Sequence, residues 1–194
     1  MSLKEHVYSV LVVSASESFT ENVMRFLQGE AYRPVKIVKS VNEAQRIVAE
    51  RLYDLILINT PLPDDFGAKF AIDVSDRSPS VVLLFVRSDN YHDVYDKVSD
   101  FGVFTVRKPL PQQNVTQALD FIKATRERLR KMEKKTVSLE EKMMEIKIVN
   151  RAKWTLINSL EFSEDDAHRY IEKQAMDRCV SKRRIAEEIL RTYK

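Results

Sequence analysis

Apolar and polar positions along the first 122 residues alternate between two patterns. Short apolar runs at Val7 to Val13, Val35 to Val38, Asp54 to Ile58, Ser80 to Val86 and Val103 to Val106 have the length and β-branched content of strands. The segments between them carry helical spacing, as in Phe19, Val23, Phe26 and Leu27. Five strands alternating with helices predict a parallel sheet covered on both faces. Gly29, Gly67 and Gly102 fall at the expected element ends, where a positive φ is most often needed.

After Pro111 the pattern changes, and neither Gly nor Pro occurs as far as Lys194. Ile122, Thr125, Leu129, Met132, Thr136, Leu139, Met143, Ile146 and Asn150 occupy successive a and d positions of a heptad repeat flanked by Lys, Arg and Glu. Such a seam buries little unless a second helix covers it. A homodimer is therefore expected, parallel or antiparallel, with Leu129, Met132, Leu139, Met143 and Ile146 forming the contact. Asn150 at an a position would help fix register. The alternative is a single long helix packed back on its own first domain. Further on, Ser163 precedes Glu164, Asp165 and Asp166, acids suited to the positive end of a helix dipole. Ser181 opens a last helix with Ile185, Ala186, Ile189 and Leu190 on one face. The C-terminal unit is thus expected to be a three-helix bundle built from the end of the long helix, Ser163 to about Arg178, and Ser181 to about Tyr193.

Charge sharpens this division. Residues 1–122 hold 13 Lys and Arg against 16 Asp and Glu, residues 123–150 hold 9 against 5, and residues 151–194 hold 10 against 8. The basic excess gathers in the C-terminal third, which fits a polyanionic partner or a solvated basic helix. The single cysteine, Cys179, excludes an intramolecular disulfide. It offers no Cys cluster for a metal, and His6, His92 and His168 lack ligand spacing. No apolar run approaches a membrane span and no signal peptide is evident, so a cytoplasmic protein is expected. No cofactor is expected either. With no nucleophile paired to a base and no phosphate-cradling Gly loop, catalysis has the least support.

The stretch YDLILINTPLPDDFG, Tyr53 to Gly67, resembles the third strand and following loop of the receiver domain of two-component response regulators, a flavodoxin-like (βα)5 fold. VRKPL, Val106 to Leu110, resembles that family's fifth strand ending in Lys-Pro. In receivers, an acid pair after the first strand holds Mg²⁺ and an aspartate at the end of the third accepts a phosphoryl group. A carboxylate is both an oxygen nucleophile and a hard-cation ligand. This sequence has Ser14 and Ala15 for the acid pair, Asn59 at the acceptor, Phe85 or Val86 at the usual Ser/Thr, and Thr105 at the aromatic switch position. Only Lys108-Pro109 remains, with Lys108 expected to pair with nearby polar groups. Glu17, Asp64 and Asp65 are the acids at hand for a rescue, but a first-turn position and a loop are ordinary places for solvated acids. The resemblance therefore implies a pseudo-receiver that is not phosphorylated.

The run from Asn150 to Leu190 resembles the ANTAR family of transcription antiterminators. It carries Ala152-Lys153 with Leu156, Ser163-Glu164, Ala167, Ala175-Met176, Ala186 and Ile189. Trp154 stands where the family commonly has a small residue, either as a core plug or as a stacking surface. The resemblance implies a dimer that binds paired stem-loops in a nascent leader RNA and prevents a terminator hairpin. It also implies control by a partner such as a ligand-sensing regulatory protein. Arg151, Lys153, Arg169, Lys173, Arg178, Lys182, Arg183 and Arg184 are candidate phosphate contacts, with Lys153 foremost. Trp154, His168, Tyr170 and Gln174 are candidate base readers, although Tyr170 lies near the apolar face of its helix, where a core role is the commoner one. The expected domains are residues 1–122, receiver-like; 123–149, the coiled-coil helix; and 150–194, the RNA-binding bundle. Two other readings stay open: a helix-turn-helix regulator of duplex DNA, and an interaction scaffold with no nucleic-acid role.

Overall fold

A computed structural model of the chain describes residues 6–109 and 111–193. Leu110, which ends the VRKPL run, and Lys194 lie outside the described residues. Contacts divide the chain into two units that meet between Lys131 and Met132.

The first unit is built on five parallel strands, β1 (Tyr8–Val13), β2 (Tyr32–Val38), β3 (Leu55–Asn59), β4 (Val81–Arg87) and β5 (Phe104–Lys108), in the order β2-β1-β3-β4-β5. β2 starts three residues before the expected Val35 because it runs through Pro34. As an edge strand it can spare the proline's missing N–H, and the register skips from Tyr8↔Tyr32 to Val10↔Val35 at that point. β3 and β5 each run past their expected ends, to Asn59 and Lys108, so both polar residues stand at strand termini.

Alternation along the strands divides the core in two. Val10, Val12, Leu55, Leu57, Leu83 and Phe85 pack with α1 (Glu17–Phe26) and the start of α5 (Gln112–Leu160). Leu11, Val13, Ile56, Ile58, Leu84 and Val86 face the other way, onto α2 (Val41–Glu50), α3 (Ala68–Arg77) and α4 (Tyr91–Val98). Burying each such side chain contributes about 1.5–3 kcal/mol. Both sheet faces are therefore committed to the fold, and functional groups are left to the strand ends and loops.

α5 is one continuous helix of 49 residues. Ile122, read above as the first seam position, is fully buried in the first unit, and Leu129 packs against the same cluster. The exposed positions of the heptad pattern therefore begin at Met132. In the second unit, Ala152 and Leu156 of α5, Ala167, Ile171 and Ala175 of α6 (Glu164–Asp177), and Ile185, Ala186 and Ile189 of α7 (Lys182–Thr192) form one buried cluster. Four alanines among these eight residues let the helices approach closely. Ser163 and Ser181 cap α6 and α7 by accepting from the amides of Asp166 and Arg184. α6 ends in a Schellman motif: the Val180 amide donates to the Ala175 carbonyl and that of Cys179 to Met176. Cys179 takes the left-handed position there, at φ 51°.

Candidate functional site

The strand ends of β1, β3 and β5 bring Ser14, Asn59 and Lys108 into one hydrogen-bonded chain. The Asn59 amide nitrogen donates to Ser14 Oγ at 3.0 Å, and Lys108 Nζ donates to Asn59 Oδ1 at 2.8 Å and to the Thr60 carbonyl. Ser14, Asn59 and Thr60 are 2%, 5% and 1% exposed, while Lys108 is half-buried, so the network meets solvent only on its Lys108 side. Ala15 lies exposed beside it. Burial pushes the Lys108 ammonium below its ordinary pKa, and the Arg87 charge adds to the effect. The Phe85 and Val86 side chains are fully buried, and the Phe85 carbonyl accepts from the Thr60 amide and hydroxyl, both at 3.0 Å.

A carboxamide is neither a phosphoryl acceptor nor a strong ligand for a hard cation, and Ser14 and Ala15 add no negative charge. The residues here do not fit the Mg²⁺ ion of the receiver family. Among the described residues no group of three His, Cys, Asp or Glu side chains is placed to hold a metal. Two of the three spare acids serve the backbone instead. Asp64 accepts from the Val41 and Asn42 amides, both at 2.9 Å, and caps α2; those two amide bonds hold its carboxyl below the usual range. Asp65 accepts from the Gly67 amide at 2.6 Å. Gly67 sits at φ 91°, where a Cβ would lie 3.1 Å from Ile58 Cγ2. Glu17 occupies the first turn of α1. Thr105 donates to the Tyr91 hydroxyl at 3.3 Å, and the Arg107 guanidinium lies over that ring at 4.1 Å.

Sequence reading missed a second polar cluster at the opposite end of the strands. Asp54 accepts from the Ser9 amide and hydroxyl at 2.9 and 3.0 Å, from Arg126 Nε at 3.0 Å and from Arg130 Nη2 at 2.7 Å. Burial raises the Asp54 carboxyl, but these hydrogen bonds outweigh it and hold the group below its ordinary value. Arg130 also donates to Glu127 at 2.8 Å. Two arginines of the basic 123–150 run are thus spent on fixing α5 against β1 and β3.

The bundle's basic residues fall into two groups. Arg178 forms a forked pair with Glu188 at 2.5 and 3.0 Å, Lys182 pairs with Glu172, and Arg183 pairs with Glu187 at 2.9 Å. Arg184 lies 3.7 Å from Glu188, and His168 3.3 Å from Glu172. Lys153 is largely buried and reaches Glu164 at 3.2 Å, joining α5 to the start of α6. Arg151, Arg169 and Lys173 are exposed, with no ion-pair partner among the described residues. Trp154 is 65% exposed and so is no core plug, while Tyr170 is 38% exposed with its ring edge-on to Phe162. Helical spacing places Lys147, Arg151, Trp154 and Asn158 on one exposed face of α5. Met132, Leu139, Met143 and Ile146 are all more than half exposed on the same helix.

Residues 138–190 match the ANTAR domain family. Over 186 residues the chain is 24% identical to the transcriptional regulatory protein PdtaR of Mycobacterium tuberculosis (strain ATCC 25618 / H37Rv), covering 94% of this chain and 89% of that protein. The first unit shares the fold of a signal receiver domain of an HD domain-containing protein from Pseudomonas fluorescens Pf-5 (TM-score 0.59, 17% identity, 68% of this chain and 96% of that one). It also resembles the chemotaxis response regulator CheY4 of Vibrio cholerae (TM-score 0.52, 20% identity, 60% of this chain and 98% of that one). Among the described residues no helix is long and apolar enough to cross a membrane.

Proposed function

We propose that this chain, an ANTAR-domain response regulator with a receiver-type first domain, is a cytoplasmic RNA-binding antiterminator that works as a dimer without phosphorylation. The observation that carries the reading is the ANTAR match at residues 138–190, folded as a capped three-helix bundle. In this reading the receiver-like domain is residues 1–122, the dimer helix 123–149 and the RNA-binding domain 150–194. Met132, Leu139, Met143 and Ile146, each more than half exposed, pair with the seam of a second copy, while Leu129, packed on the core of the first unit, stands just outside it.

Two bundles on one paired helix meet two RNA hairpins as a single ligand, and the second contact forms at an effective concentration on the order of millimolar. Arg151, Arg169 and Lys173 contact phosphates. Trp154 stacks on a base splayed from a loop, as exposed aromatics do with single-stranded RNA. Lys153, Arg178, Lys182 and Arg183 shape the bundle through their acid partners and contribute positive potential. Asn59 replaces a phosphoryl acceptor and Lys108 closes on it, so control passes to a protein partner such as a ligand sensor that masks the dimer.

Selection from a pool of RNAs carrying two hairpins with random loops tests the reading. The protein should enrich a common loop sequence on both hairpins. Recovery of an unenriched pool after repeated rounds would count against it.

A further inference from the structure

We propose that the first unit carries a binding site for a small organic anion, a carboxylate or phosphate head on an apolar body, in the cleft between α1 and the start of α5. The cleft measures about 670 Å³, inside the range of about 300–1,000 Å³ typical of small-molecule sites. It opens where the loops after β1 and β3 diverge, the topological switch point of this strand order and the place where open α/β sheets bind ligands.

Its chemistry is one-sided. Half-buried Lys108 and exposed Arg25 both line it, and no carboxylate is among its described lining residues. Two of the three Lys108 donors are taken by Asn59 and Thr60, both neutral acceptors, which leaves a third donor and an unbalanced charge. Burial already disfavours that charge, and an anion beside it would restore the balance. Phe26, Pro61 and Pro109 give the cleft accessible apolar surface, while Asn22 and Gln112 offer amide groups. An ion alone would leave the apolar walls uncovered, so the occupant carries an apolar body. This site depends on the first unit only and stands apart from the RNA-binding reading.

Isothermal titration of the full chain with phenyl phosphate, benzoate, inorganic phosphate and benzyl alcohol tests the proposal and separates the two head groups. At least one of the first two should bind with a dissociation constant on the order of 1 mM or tighter, and benzyl alcohol should not. Arg25→Gln should weaken that binding about tenfold or more. Lys97→Gln, an exposed cation at the end of α4, should leave it unchanged. Absence of binding by both aryl anions would overturn the site. So would equal affinity for benzyl alcohol, equal affinity for inorganic phosphate, or equal loss in Lys97→Gln.

Discussion

Asp54→Asn is the sharpest perturbation of the fold. The Asp54 side chain is 14% exposed, and its partners Arg126 and Arg130 are 10% and 21% exposed. The asparagine keeps the shape and can still accept from Ser9, but it leaves two largely buried guanidinium groups facing a neutral amide. Breaking a buried pair by removing one partner costs about 3–5 kcal/mol. The conserved shape argues for the low end, about 3 kcal/mol, or a drop of roughly 10 °C in the unfolding temperature of the first unit.

The pH dependence follows from the lowered Asp54 pKa. A depressed folded pKa contributes stability above the unfolded value of about 3.9 and loses it as pH falls through the folded value. The wild-type advantage over Asp54→Asn should be constant between about pH 5 and 8 and shrink below about pH 4. Calorimetry across that range measures both quantities. A loss under about 0.5 kcal/mol, or an advantage that grows on acidification, would refute the account of the cluster.

Other substitutions test separate elements. Cys179→Gly relieves a left-handed residue that is exposed and should stabilise the bundle by about 0.5–1 kcal/mol in thermal unfolding. Met143→Glu should weaken self-association about 100-fold or more by light scattering, because it places an unpaired charge in the seam. Trp154→Ala should leave the unfolding temperature unchanged and cost about 1–3 kcal/mol in RNA affinity, the worth of one stacked base. Asn59→Asp should acquire no phosphoryl group from acetyl phosphate and Mg²⁺, since positions 14 and 15 still supply no metal ligand. A phosphoryl adduct at the substituted position in the mass spectrum would contradict that.

The strands were legible because period-2 and fully apolar runs report burial directly, and the helix caps at Ser163 and Ser181 because capping is local. What stayed hidden depends on partners far along the chain. Asp54 meets Arg126 across 72 residues, and nothing in either neighbourhood announces the pair. Lys153 reads as a free cation until α6 brings Glu164 beside it. Ile122 keeps heptad phase with Met132, so periodicity cannot tell the residue that packs on the sheet from the one that awaits another helix. Pro34 broke the strand pattern of β2 because its tolerance there comes from the edge position, a property of the sheet order. Asn59 was readable as a change of chemistry, but its closure by Ser14 and Lys108 needed three strand ends in one place.

Reading of paired RNA hairpins by a dimer separates this function from a merely basic surface. The most direct measurement is the affinity of the full chain for a selected two-hairpin RNA, a single-hairpin version, a scrambled RNA and duplex DNA across a salt series. Binding to the two-hairpin RNA should persist at about 0.15 M salt, where the other three have lost most of theirs. Equal and equally steep salt dependence for all four would reduce the bundle to a basic surface with no hairpin recognition.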